Sequence, residues 1–271
     1  MMYLKQFFNF YINASIHVAL AVYSLVRITE LYFGFPYNEN LDYFIFFSTI
    51  SGYNFVKYFG IAKFHHRSLT KNLKTIQVFS FVCFVLMCYY GFLLPTKLLV
   101  LFLPLGLLTV LYAIPFLSGF QKSLRSISYL KIIIVALVWS GTTVLFPVLT
   151  NDKMIDTNIF LLCIQRFLIV AVLILPFDIR DLKYDAISLQ TIPQKIGVEK
   201  TKKLGFVLLL FASIIEFLIS TETVTKNIFL GVVLVLLILL MRSKTEQSKY
   251  YSSFWVEALP IFWMLLLFLN S

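Results

Sequence analysis

The chain has 271 residues, 60% of them hydrophobic, 17% aromatic and only 13% charged, with a mean hydropathy of +0.88. That composition excludes an ordinary soluble domain, where about 25% of residues are charged, and places the chain among polytopic membrane proteins. Its net charge of +10 is not a nucleic-acid footprint, because the basic residues lie in short loops between apolar spans and not on one water-exposed face.

From the amino terminus, residues 1–30 place Lys5 ahead of an apolar run, as a secretory signal would. No small-x-small cleavage site follows a short apolar core, so the run reads as the first membrane helix. Apolar stretches of about twenty residues predict nine spans. They cover roughly 11–31, 42–62, 75–94, 98–118, 129–149, 158–178, 204–220, 227–241 and 254–270, with ends uncertain by two to four residues or so. The eighth is short, and only Pro95-Thr96-Lys97 divides the third from the fourth. Cys83, Cys88 and Cys163 all fall inside these stretches. They suggest neither a disulfide framework nor a metal knuckle and read as small packing residues. Residues 1–271 are therefore expected to form one all-α domain, a polytopic bundle of nine transmembrane helices.

Orientation follows from the basic residues. With the amino end inside, eighteen of the 23 Lys and Arg occupy inner segments. Three (Lys97, Lys153, Lys226) occupy outer loops, and two (Arg27, Arg166) lie within spans. This asymmetry predicts an integral membrane protein, of a bacterial inner membrane, with its N-terminus cytoplasmic and its C-terminus outside. The longer loops, 63–74, 119–128, 178–203 and 242–253, then all face the cytoplasm, and chemistry is expected on that side.

Carboxylates gather in one place, directly after the sixth span. Asp178, Asp181 and Asp185 are spaced i, i+3, i+7, so on a helix they share one face. That pattern suits a hard cation such as Mg²⁺, which takes oxygen ligands and leaves room for substrate phosphates. The competing reading is a solvated loop whose acids balance Arg180, Lys183 and Lys195, since charge runs are common at span ends. Pro176 is expected to bend the sixth helix one turn earlier.

The nine-helix layout, and the run Asp178-x-x-Asp181-x-x-x-Asp185 followed by Thr191-Ile-Pro-Gln-Lys-Ile-Gly197, resemble the UbiA-type intramembrane prenyltransferases. The run is similar to that family's second aspartate motif and the Thr-Leu-Pro…Gly segment after it. A further match is Tyr112-Ala-Ile-Pro115 with trailing Lys122, Arg125 and Lys131, although Phe116 breaks the family's Tyr-x-x-x-Lys. The resemblance implies transfer of a prenyl group from a polyprenyl diphosphate to an acceptor of aromatic, quinone-precursor or lipid-precursor type, assisted by Mg²⁺. It implies Asp178, Asp181 and Asp185 as metal ligands, and Asn54 and Tyr112 as members of the catalytic machinery. Lys57, Lys63, Arg67, Lys122, Arg125, Lys131 and Lys183 would face the diphosphate. The bilayer and the diphosphate are the expected partners, with no nucleic acid.

One departure is large. Where the family carries its first aspartate motif, the second span here reads Tyr53-Asn54-Phe55-Val56-Lys57-Tyr58-Phe59-Gly60-Ile61-Ala62. Asn54 fits, but Phe55, Tyr58 and Ala62 replace acids, and residues 43–151 contain no Asp or Glu. Either the cations between Lys57 and Lys74 replace one metal, or the fold is a non-catalytic relative that binds lipid or a partner. His65-His66 read as solvated interface histidines. Arg166 and Glu216 lie deep in neighbouring spans and read as a mutual pair holding the helices together. Arg27 and Glu30, at i, i+3, read as another, while His17 and Glu257 have no assigned partner.

Overall fold

A computed structural model describes residues 2–64, 71–113, 130–183, 191–219 and 222–270. Every regular element among the described residues is helical: α1 Met2–Asn13, α2 Ile16–Phe33, α3 Glu39–Phe64, α4 Lys71–Phe92 and α5 Thr96–Ala113. After them come α6 Leu130–Ser140, α7 Phe146–Thr150, α8 Thr157–Asp181, α9 Ile192–Ile196, α10 Val198–Leu218, α11 Thr223–Arg242 and α12 Leu259–Phe268. Among the described residues, six segments are long and apolar enough to cross a membrane: 16–33, 73–92, 130–150, 157–181, 223–242 and 251–268. The chain is an integral membrane bundle. The exposed apolar rows fit that solvent, as on α4, where Val78, Phe81, Val85 and Phe92 face outward.

Burial is concentrated on α2 and α8, which supply much of a core that also takes in Phe44, Trp139, Phe229 and Trp263. α2 packs on α3 and α12, and α8 on α6 and α10. Gly205 allows the α8–α10–α11 approach, because a Cβ there would lie 2.3 Å from Leu240 Cδ2 and 3.0 Å from Leu175 Cδ1.

Three expectations are corrected. The span expected at 11–31 is broken: α1 ends at Asn13 and α2 starts at Ile16, with Ser15 left-handed at φ 62°. Such a conformation costs a non-glycine residue about 1–2 kcal/mol, so other groups must hold it. The eighth span is not short, since α11 runs the full 20 residues from Thr223 to Arg242. The fifth and ninth are not uniform α-helix. Gly141–Leu145 and Tyr251–Val256 are π-helical turns, a form that tends to appear at functional sites.

Candidate functional site

The break between α1 and α2 is held by the residues that stand where the first aspartate motif was expected. Ser15 Oγ donates to Asn54 Oδ1 at 2.8 Å and accepts from Lys57 Nζ at 2.8 Å. Asn54 Nδ2 donates to the Ala14 carbonyl at 3.0 Å and to Ser80 Oγ on α4 at 2.8 Å. Tyr58 OH donates to the Asn13 carbonyl at 2.9 Å. Asn54, Lys57 and Tyr58 thus satisfy the polar groups that the broken helix exposes, a necessity where water is scarce. Asn54 is 3% exposed and works as a three-way structural tie.

Across the bundle, α8 presents its carboxylates at its carboxyl end. Pro176 lies inside the helix, and its carbonyl accepts from Gln247 Nε2 at 2.9 Å, whose own Oε1 accepts from Ser252. The segment after α11 is thereby docked onto the last turns of α8. Lys131, at the start of α6, donates to Asp178 Oδ1 at 2.6 Å, and the Asp178 side chain is only 2% exposed. Arg180 grips Asp181 with two bonds, Nε–Oδ1 at 2.7 Å and Nη2–Oδ2 at 3.2 Å. Lys131 also feels Asp181 and the buried Tyr112 of α5.

Glu257 completes the group, and its partners lie far from it in sequence. It follows the π-helical turn of 251–256 and feels the charges of Lys57 and Arg180. His17 explains its position, for Nδ1 meets Tyr11 OH at 2.7 Å and Nε2 meets the Phe254 carbonyl at 3.0 Å. The start of α2 is therefore tied to α3 through Ser15 and to the last helix through His17. The described cluster holds three acids (Asp178, Asp181, Glu257) and three cations (Lys57, Lys131, Arg180), gathered from α3, α6, α8 and the start of the last span.

The other expected site residues distribute as follows. Lys183 is exposed just past α8. Lys63 lies on the last turn of α3, and its side chain is outside the description. Arg67, Lys122, Arg125, Asp185, His65 and His66 lie outside the described residues. The segment Thr191-Ile-Pro-Gln-Lys-Ile-Gly197 is a capped single helix, with the Thr191 N–H on Gln194 Oε1 at 2.9 Å. Gly197, at φ 81°, turns the chain into α10; this is a conformation glycine adopts without penalty. The deep pair attracts across a distance but makes no direct salt link. Glu216 accepts from Gln165 at 2.7 Å and Tyr32 at 3.2 Å, while Arg166 donates to the Leu25 carbonyl at 2.9 Å and stacks on Trp263. Arg27 and Glu30 do pair.

No protein-family model and no curated protein matches the sequence. Solved structures do. A UbiA homolog from Archaeoglobus fulgidus bound to GPP and Mg²⁺ superposes with a TM-score of 0.65 at 15% identity, covering 96% of this chain and 98% of that one. The same homolog bound to DMAPP and Mg²⁺ gives 0.65 at 12%, again over 96% and 98%. A digeranylgeranylglyceryl phosphate synthase gives 0.58 at 14%, over 99% and 97%. The chain has the UbiA fold. Within it, the fit to a divalent cation is one-sided. Asp178 and Asp181 lie on neighbouring turns with oxygens suited to Mg²⁺, but Phe55 and Tyr58 offer no carboxylate opposite. Among the described residues no group of three or more His, Cys, Asp or Glu is arranged to hold a metal. Of the three expected ligands, Asp178 and Asp181 are each engaged by a cation, Lys131 and Arg180, and Asp185 lies outside the described residues.

Proposed function

We propose that this is a divergent member of the UbiA family, a single nine-span domain with its amino end cytoplasmic, and that it transfers a prenyl group from a prenyl diphosphate to a membrane-soluble acceptor. The observation that carries this reading is the pairing of Lys131 and Arg180 with the α8 carboxylates inside a UbiA fold, with Lys57 beside Arg180 and Glu257. In the reaction the C1–O bond of the allylic diphosphate breaks, its electron pair leaves with the diphosphate, and a nucleophilic atom of the acceptor bonds to C1 and gives up its proton, which leaves with the diphosphate or to water. Lys57, Lys131 and Arg180 would hold the departing phosphates by charge-assisted bonds, which oppose the growing negative charge. Lys63, Arg67, Lys122, Arg125 and Lys183 would extend that basic surface. Tyr53 and Trp139, whose rings are 6.3 Å apart, and buried Tyr112 would wall the allylic carbon from water. Asn54 would act by fixing Lys57 through Ser15.

Asp178, Asp181 and Asp185 would hold one Mg²⁺, which when bound supplies Lewis-acid stabilisation of the diphosphate. For that, Lys131 and Arg180 must pass from carboxylate to phosphate, an exchange of like for like in charge. The test is a thermal-shift titration of purified protein with GPP, in Mg²⁺ and in EDTA. Binding should be tighter in Mg²⁺, and Asp181→Asn should remove the difference while leaving a folded protein. Equal affinity in both buffers would remove the metal from the account.

A second reading has its own support: every acid in the described cluster already faces a cation, and the expected first-motif edge is bonded to residues 13–15. On that reading the chamber binds an isoprenoid lipid without turning it over. Release of inorganic diphosphate from GPP in the presence of a membrane lipid extract would exclude it.

A further inference from the structure

The end of the bundle away from Asp178 holds a second charged group, shut between α2 and α3. About 20 Å of α2 separates it from Ser15, at 1.5 Å per residue. Arg27 and Glu30 pair one turn apart on α2, and Asp42, from the first turn of α3, stands 3.7 Å from Arg27 Nη1. Glu30 is 1% exposed and Asp42 0%. Glu30 Oε1 and both oxygens of Asp42 are buried without a hydrogen-bond partner.

The first turn of α3 also carries Glu39, which is exposed and whose charge Tyr90 of α4 feels. Tyr23 and Tyr37 face the group from α2 and from the link to α3. Tyr43 stands one residue beyond Asp42, with Tyr90 of α4 packed on its ring at 5.2 Å. Tyr37 also lies under the Arg27 guanidinium at 4.6 Å, and the Asn38 backbone N–H faces Glu30. Arg166 of α8 is occupied on the next turn by the Leu25 carbonyl and Thr29, and Lys153 by the Phe33 ring at 4.1 Å. Among the described residues, Arg27 is the one cation facing both carboxylates.

Two ionised carboxylates beside one guanidinium would leave a whole negative charge in a dry place. A buried carboxylate without a counter-charge neutralises itself by taking a proton, and two carboxylates sharing a site hold one proton between them. Three oxygens on two side chains that share one guanidinium lack a hydrogen-bond donor, and a proton on the pair supplies one. With one proton on the pair, a single negative charge is left, and Arg27 balances it. We propose that Glu30 and Asp42 form a binding site for a single proton beside Arg27. The proton belongs to the pair, and the site is separate from the α8 cluster.

Infrared spectroscopy of the full chain in detergent at pH 7 tests this directly. The wild type should show a carboxylic-acid C=O band that shifts in D₂O. The band should be missing from Asp42→Asn and from Glu30→Gln, since either change removes the shared charge problem. Asp42→Asn leaves Glu30 paired with Arg27 and strands no charge, so it should fold and melt at or above the wild-type temperature; Glu30→Gln provides a second route to the same difference spectrum. Wild-type and variant spectra that are identical in this region at pH 7 would overturn the proposal. So would a band that disappears when Na⁺ replaces choline at constant pH, because the ligand would then be a metal ion.

Discussion

Lys131→Met is the most informative single change, because it separates structure from ligand binding. The Lys131–Asp178 bond is 2.6 Å long, and the two side chains are 30% and 2% exposed. Removing one partner of a fully buried pair costs about 3–5 kcal/mol, chiefly because the other charge is stranded. Water reaches the Lys131 side of this pair, so the expected cost is smaller, about 2–3 kcal/mol. At about 2–4 °C per kcal/mol for a chain of this size class, melting should fall by roughly 5–10 °C. Asp178→Asn alone should cost less, about 1 kcal/mol, since the lysine can extend its ammonium towards water. The double variant Lys131→Met/Asp178→Asn strands no charge and should recover most of the loss. Thermal melts of the four proteins in one detergent give the coupling. A double variant no more stable than Lys131→Met would show that Asp178 is not held by this lysine.

Two further outcomes follow from the same geometry. Asn54→Leu removes the tie among α1, α3 and α4 and orphans the Ala14 carbonyl, so it should destabilise by about 2–3 kcal/mol and raise hydrogen exchange around residues 13–15; unchanged exchange there would contradict the structural role. A topology reporter fused after residue 271 should lie outside and one inserted in 242–253 should lie in the cytoplasm, and both on one side would end the nine-span reading.

The helices were legible because lipid-spanning stretches must be long and apolar, and that requirement is written locally. The break at 13–15 was not. Asn13-Ala14-Ser15 contains neither Pro nor Gly, and what stabilises it comes from Asn54, Lys57 and Tyr58, some forty residues on. Seen from the sequence, Tyr58 was a substitution in a metal motif and Lys57 a cation for the diphosphate. Seen in the fold, they also serve the polar groups of a neighbouring helix break. The α8 carboxylates were visible because i, i+3 spacing on a helix is a local fact. Their partners were less so: Arg180 is adjacent to Asp181, but Lys131 is 47 positions from Asp178. Glu257 was silent because its neighbours, Lys57 and Arg180, reach it only through the docking of the last span on the start of α2. The Arg27–Glu30 pair was readable by spacing, whereas the third member, Asp42, needed the α2–α3 packing.

The central claim is that a prenyl diphosphate sits among Lys57, Lys131, Arg180 and the α8 carboxylates. A photoreactive geranyl diphosphate analogue, cross-linked to the purified chain and mapped by peptide mass spectrometry, tests it most directly. Labels should fall on α3 near Tyr53 to Lys57, on α5 near Tyr112 and on the carboxyl end of α8. Unlabelled GPP should suppress them, and Lys57→Ala should weaken them. Labels confined to the lipid-facing rows of α4 and α10, unaffected by GPP, would contradict the account.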